Sequence, residues 1–296
     1  MKKVKLGFAP VVAPTIALTI AATIARWGLM VSMITALFGM SVVMANEGNG
    51  VDVNPRAELE KLSKNKKQIW VVGYTNGTVE DALHDLETTF ANGGDAIVYE
   101  GSDYKKLDQV LTAVREKYPN KVIGVNYLGA YVSYVETFEL AKKHKCQIAW
   151  TDYSGVDLIT EAPEMSLHDI DARKPAGVFY VSGIHMKYLT LRDPKKSIEK
   201  SARQAMGWMD GITITGPATG QATDPEKARR AFAVIGNHPM GAASGVSSEN
   251  VGSLVPYIDY MLVNTSIADA NRRIVPEKLK ALRDAITAAE KKSLKK

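Results

Sequence analysis

The stretch Gln68-Ile-Trp-Val-Val-Gly73, the helical run between Thr78 and Gly93, and Asp95-Ala-Ile-Val-Tyr-Glu100 decide the fold. Two short, almost wholly apolar runs flank one helix. Such runs suit strands buried on both faces, as in a parallel sheet. Parallel neighbours need a crossover, and a helix supplies it. Thr78 has the chemistry of an N-cap, and Gly93 stands where a left-handed C′ residue ends a helix.

The same unit recurs outward from this stretch. Further strand-like runs are Lys121-Val-Ile-Gly-Val-Asn126, Gln147-Ile-Ala-Trp-Thr-Asp152 and Gly177-Val-Phe-Tyr-Val-Ser182, then Gly211-Ile-Thr-Ile-Thr215, Pro239-Met-Gly-Ala-Ala243 and Tyr260-Met-Leu-Val-Asn264. Asp103 caps a helix whose Leu107, Val110, Leu111 and Val114 form one stripe. Ile198, Ala202, Ala205 and Met206 repeat at helical spacing, Asp224-Pro225-Glu226 opens another helix, and Pro276 opens the last. The stretch from Tyr153 to Lys174, with Pro163 and a short helix candidate, is irregular. Eight βα units predict an α/β fold, a (β/α)8 TIM barrel, whose site lies at the C-terminal strand ends. Another α/β arrangement is the competing reading.

The expected organisation is a hydrophobic segment over 1–50, a linker over 51–66 and the barrel over 67–296. Residues 8–45 are apolar apart from Arg26 and scattered Ser and Thr, which exceeds one span of ~20 residues. Three readings stand: a signal cleaved after Val43-Met44-Ala45, an uncleaved anchor over Trp27 to Ala45, or a pair of helices turning at Arg26-Trp27-Gly28. A buried helix of a soluble domain is the plain alternative. The expectation is membrane association through 8–45, with the barrel periplasmic after one span or a cleaved signal and cytoplasmic after two.

Cys146 is the sole cysteine, which excludes an intramolecular disulfide and a cysteine-based zinc site. The net charge of +5 comes largely from lysines at the termini, with no basic stripe interleaved with aromatics, so no nucleic-acid partner is expected. No HExxH, Walker A or GxGxxG pattern occurs, so neither a metal nor a cofactor is expected. A homo-oligomer stays open.

Three constellations fall at predicted strand ends. After strands seven and eight, Ser244, Gly245, Asn264, Thr265 and Ser266 form the expected phosphate site, where small residues expose backbone N–H groups ahead of a helix N-terminus. A side chain at Gly245 is then expected to abolish anion binding with modest loss of stability. Around strand six, Thr213, Thr215, Gly216, Thr219 and Gly220 offer hydroxyls and close backbone approach to sugar or phosphate oxygens. The plain reading is a Thr-rich strand and a Gly turn. Glu100, Asp152 and Lys187 are the expected catalytic set for acid–base and charge-stabilising work, with Asn126 and His185 as ligand-binding neighbours. His185 and Lys187 share strand parity, so both are expected to face the same way. His84, His144, His168 and His238 are expected at the surface.

Met209-Asp-Gly-Ile-Thr-Ile-Thr-Gly-Pro-Ala-Thr-Gly220, Met240-Gly-Ala-Ala-Ser-Gly-Val-Ser-Ser-Glu-Asn-Val251 and Met261-Leu-Val-Asn-Thr-Ser-Ile267 resemble the BtpA family. The matching motifs are a TGxxTG turn, an SGVxxENV turn and a VGTS run. Gly93-Gly-Asp-Ala-Ile-Val-Tyr-Glu100 and Gly124-Val-Asn126 also resemble it. The resemblance covers about residues 68 to 290 and is most specific in the last third. It implies a barrel of the ribulose-phosphate-binding type, binding a phosphorylated sugar or nucleoside-like ligand. Members are described as photosystem I assembly factors or nucleosidase-like proteins, so the resemblance supports a hydrolase- or lyase-type enzyme or, alternatively, a non-enzymatic membrane-associated assembly factor. The chain departs from the pattern at Tyr127-Leu-Gly-Ala130, Trp150-Thr-Asp152, Ser182-Gly183 and Asn264, the last standing where the family has Gly.

Overall fold

The computed structural model describes residues 54–129, 134–157, 167–188 and 190–293, with the side chains of 167–169 outside that description. The expectation for residues 8–45 falls outside it. Eight parallel strands close a barrel in sequence order: β1 (Gln68–Tyr74), β2 (Ala96–Gly101), β3 (Ile123–Tyr127), β4 (Ile148–Thr151), β5 (Phe179–Gly183), β6 (Gly211–Thr215), β7 (Met240–Ala243) and β8 (Tyr260–Val263). β8 returns to β1 through the register Gln68↔Tyr260 to Val71↔Val263. Every expected strand is present, with ends moved by one or two residues.

The helices are α1 (Pro55–Leu62), α2 (Val79–Ala91), α3 (Tyr104–Lys117), α4 (Tyr134–Lys143), α5 (Leu167–Arg173), α6 (Ile198–Ala205), α7 (Pro225–Phe232), α8 (Val251–Leu254) and α9 (Pro276–Ser293). Thr78 and Asp81 form a reciprocal capping box at α2, and Asp103, Ser197 and Asp224 cap α3, α6 and α7. Gly93 takes φ +91 just past α2. α1 corrects the linker expectation. Asn54 caps it and Leu59 is buried in the barrel interior, so the second compact unit starts at Asn54. Met206 also departs from its expected stripe: it is 40% exposed, while Ile198, Ala202 and Ala205 are buried.

Strand alternation splits the core in two. Ile69, Val71, Ile97, Val125, Ile212 and Met261 pack outward in the cluster that holds the helices. Trp70, Val72, Val98, Ile148, Phe179, Tyr260 and Leu262 fill the interior. Trp70 stacks on Tyr260 with centroids 4.2 Å apart. Gly241 makes room, since a Cβ there would stand 2.2 Å from the Tyr260 ring.

The floor, at the N-terminal strand ends, has a fourfold device. The residue before each even strand accepts an N–H of the odd strand ahead of it. Asp95 accepts from Ile69 at 2.7 Å, Gln147 from Ile123 at 3.0 Å, Asp210 from Tyr180 at 2.8 Å and Asp259 from Met240 at 3.1 Å. Each acceptor also meets a cation, respectively Arg283, Arg115, Lys174 and Arg56. These partners satisfy groups that would be costly to bury alone.

Candidate active site at the barrel mouth

Parity sends Glu100, Asn126 and Asp152 inward, continuing the rows of Val98, Gly124 and Trp150. Asn126 is fully buried. Its Nδ2 donates to Glu100 Oε2 at 3.2 Å and to Asp152 Oδ1 at 3.3 Å, joining the two carboxylates through one amide. Burial, and then the charge of Asp152, push Glu100 from its ordinary value of 4.5 up to about 8, against the opposing pull of Lys187 and Asn126. Burial likewise raises Asp152, with Lys187 and Asn126 opposing. The two titrate as a pair, which keeps a proton at neutral pH that free carboxylates would lose. Tyr74 lies beside them, pushed up to about 12 by burial and then by the Glu100 charge, and the Arg272 guanidinium sits 4.6 Å from its ring centre.

Lys187 crosses to the other side of the same pocket. Its Nζ donates to Ser244 Oγ at 2.9 Å and Thr219 Oγ1 at 3.1 Å, and its backbone N–H donates to Thr215 Oγ1 at 2.7 Å. His185 does not accompany it, which corrects the shared-parity expectation. His185 has φ +44, so the strand alternation ends before it. Its Nε2 lies 3.1 Å from Ser201 Oγ and its N–H donates to Asp157 Oδ2, placing it in a buried network behind the wall. Lys227, at the start of α7, braces this exit by donating to His185 O and Thr215 O; burial lowers it to about 8. Its sequence signal is a lysine in the first turn of a helix, where the macrodipole disfavours a cation.

The loops after β7 and β8 close the pocket. Ser244 and Gly245 both take left-handed backbone, φ +68 and +65. A Cβ on Gly245 would stand 2.0 Å from Gln221 O, so backbone packing requires the glycine, and the expected modest stability cost of a side chain there is corrected upward. Ser266 Oγ donates to Val246 O at 2.6 Å. Among the described residues the N–H groups of Gly245, Thr265 and Ser266 find no acceptor. The expected helix N-terminus behind this loop is a single turn, α8, with no side-chain cap, so a helix dipole adds little. Asn264 Nδ2 donates to Val72 O at 2.8 Å.

One open pocket, with a cavity volume of about 70 Å³, is lined by Tyr74, Glu100, Trp150, Asp152, Lys187, Thr219, Ser244, Gly245, Asn264, Thr265 and Ser266 with apolar neighbours. Asn126 stands behind the carboxylates. Thr215 positions Lys187. Thr213 does not reach the mouth: it is buried with its hydroxyl 2.9 Å from Tyr260 Oη. Gly216 packs against Gln221 and Ala222, and Gly220 takes φ +79 beside Thr265. His144 and His238 are corrected too. His144 is buried 2.6 Å from Asp108, and His238 is half-buried on Met209 O. Cys146 is buried, and burial pushes its thiol up to about 12 against the opposing charge of Arg115, which disfavours the thiolate at neutral pH. Among the described residues, no three His, Cys, Asp or Glu side chains are grouped to hold a metal. No described helix is long and apolar enough to cross a membrane.

No family model matches the chain, and no curated protein does. Solved structures do share the fold. The (S)-3-O-geranylgeranylglyceryl phosphate synthase of Thermoplasma acidophilum, in complex with sn-glycerol-1-phosphate, superposes with TM-score 0.56 at 14% identity, over 80% of this chain and 99% of that one. A native KDPGal structure gives 0.54 at 15%, over 78% and 98%. Phosphoribosyl anthranilate isomerase from Thermus thermophilus gives 0.52 at 17%, over 75% and 98%. At these identities the likeness is one of fold: a TIM barrel.

Proposed function

We propose that the mouth binds a phosphorylated small molecule and that the Glu100–Asp152 pair moves a proton on its carbon skeleton. The observation that carries this is Lys187 Nζ, held between the hydroxyls of Ser244 and Thr219, across one pocket from two amide-linked carboxylates. The phosphate accepts from Lys187, Ser244 and the N–H groups of Gly245, Thr265 and Ser266. The carboxylates differ in environment, so one is held protonated as an acid while the other is ionised as a base. Two of the similar structures are named for phosphorylated compounds, which supports the reading.

In finer terms, the chain is a BtpA-like barrel of the ribulose-phosphate-binding type, acting on a sugar or nucleoside-like phosphate in a hydrolase- or lyase-type reaction. Residues 8–45 attach it to a membrane. Fractionation of cells expressing residues 1–296 or 51–296 tests the attachment; equal solubility of both abandons it. The assembly-factor alternative calls for an apolar, filled mouth, and a polar pocket with converging charges counts against it. Titration calorimetry with inorganic phosphate and ribose 5-phosphate tests the main reading. Saturable binding by the wild type, weakened roughly tenfold or more in Lys187→Met, is expected for a lost charge-assisted contact. Binding that Lys187→Met leaves unchanged would sink the assignment.

A further inference from the structure

The barrel contains two buried tryptophans pointing inward, and they are treated differently. Trp70 donates its indole Nε1–H to Gln68 Oε1 at 2.9 Å. Trp150 is 6% exposed and lines the mouth pocket, yet its Nε1–H has no acceptor among the described residues. A buried donor without a partner is costly, and a phenylalanine would offer similar apolar packing against Ile148 and Phe179 without that cost. Asn264 is the counterpart. Its Nδ2 donates to Val72 O, which fixes the amide with Oδ1 as the free end, and Oδ1 has no donor. It lines the same pocket, 7% exposed.

An unmatched donor and an unmatched acceptor in one pocket describe what a ligand has to bring. β4 and β8 stand across the barrel from each other, so the two atoms meet separate groups. Resting on the phosphate reading above, we propose that the ligand is a polyol or sugar phosphate with at least two oxygen functions beside the phosphate. One, a hydroxyl or carbonyl, accepts from Trp150 Nε1. The other, a hydroxyl, donates to Asn264 Oδ1. Asn264 is then a specificity determinant for the oxygen functions beside the phosphate.

The test compares two esters of equal charge and chain length, glycerol 3-phosphate and n-propyl phosphate, by calorimetry on the full-length chain in mild detergent. The wild type is expected to prefer the glycerol ester roughly tenfold or more, the range of a hydrogen bond completed in a buried site. Trp150→Phe should shrink that preference at least about threefold, read as the ratio of the two affinities in the variant against the same ratio in the wild type. The indole N–H resonance that disappears in Trp150→Phe should move downfield with the glycerol ester and stay put with the propyl ester. Equal affinity of the wild type for both esters, or an undiminished preference in Trp150→Phe, overturns this inference and leaves the phosphate reading standing. Binding of neither ester overturns both. If Trp150→Phe does not fold, the wild-type ratio alone decides.

Discussion

The floor and the mouth of the barrel are built from the same eight strands, and they handle polar groups in opposite ways. At the floor each buried carboxylate before an even strand has both an N–H and a cation, and Trp70 and Tyr260 each have a hydroxyl or amide partner. At the mouth two carboxylates share one amide, both are raised by burial, and Trp150, Asn126 and Asn264 each keep a buried atom unpaired. The difference separates residues that hold the fold from residues held in readiness for something else.

The sharpest way to break the comparison is to damage the floor. Asp259→Ala strands Arg56 and the Met240 N–H, and should cost about 3–5 kcal/mol of stability by urea denaturation, the range for one partner lost from a buried pair. A cost under 1 kcal/mol would erase the distinction. Gly245→Val comes next. Left-handed backbone alone costs about 1–3 kcal/mol, with the contact on Gln221 O added, and phosphate binding should vanish along with it. Full stability in that variant would mean the loop is free to move.

The third prediction concerns pH. Glu100 binds its proton more tightly folded, at about 8, than unfolded, at its ordinary 4.5. The folded state therefore carries the extra proton between those values. The contribution of this group to stability is fully present below about pH 4.5 and is lost as pH rises toward 8, with a slope of up to about 1.4 kcal/mol per pH unit. Glu100→Gln should remove that slope, which denaturation at a series of pH values would reveal. The smallest effect belongs to Lys187→Met, which should change stability by no more than about 0.5 kcal/mol while weakening anion binding. A large loss of stability there would make Lys187 a floor-type residue in the wrong place.

The strands were legible because burial on both faces leaves a continuous apolar run, as in Gln68 to Gly73, and because caps such as Thr78 and Asp224 act on neighbouring residues. The convergence of Glu100, Asn126 and Asp152 was legible because each stands at the end of its strand, and the ends of parallel strands meet at one mouth. What failed was parity past a strand end. His185 and Ser244 take left-handed backbone that no periodicity announces. Thr213 sits one layer too deep, where the Tyr260 hydroxyl claims it. α1 was missed because its only large apolar residues are Leu59 and Leu62, and a single buried leucine gives no stripe. Trp150 was visible only as a departure from a motif; that its N–H lacks a partner is a fact of packing.

The fourfold floor device also bears on how the chain finds its fold. Its four N–H contacts join residues 26, 24, 30 and 19 positions apart, whereas the Arg283–Asp95 and Arg56–Asp259 pairs span 188 and 203. Closing a short loop costs less entropy than closing a long one. We therefore expect four strand–helix–strand modules to form early, each latched by its own acceptor, and the two long-range arginines to complete the ring afterwards. In pulse-labelled refolding, the amides of Ile69, Ile123, Tyr180 and Met240 would gain protection before the β1–β8 seam does; simultaneous protection would contradict this order. The barrel is then an assembly of four locally registered modules, with the arginines as late fasteners.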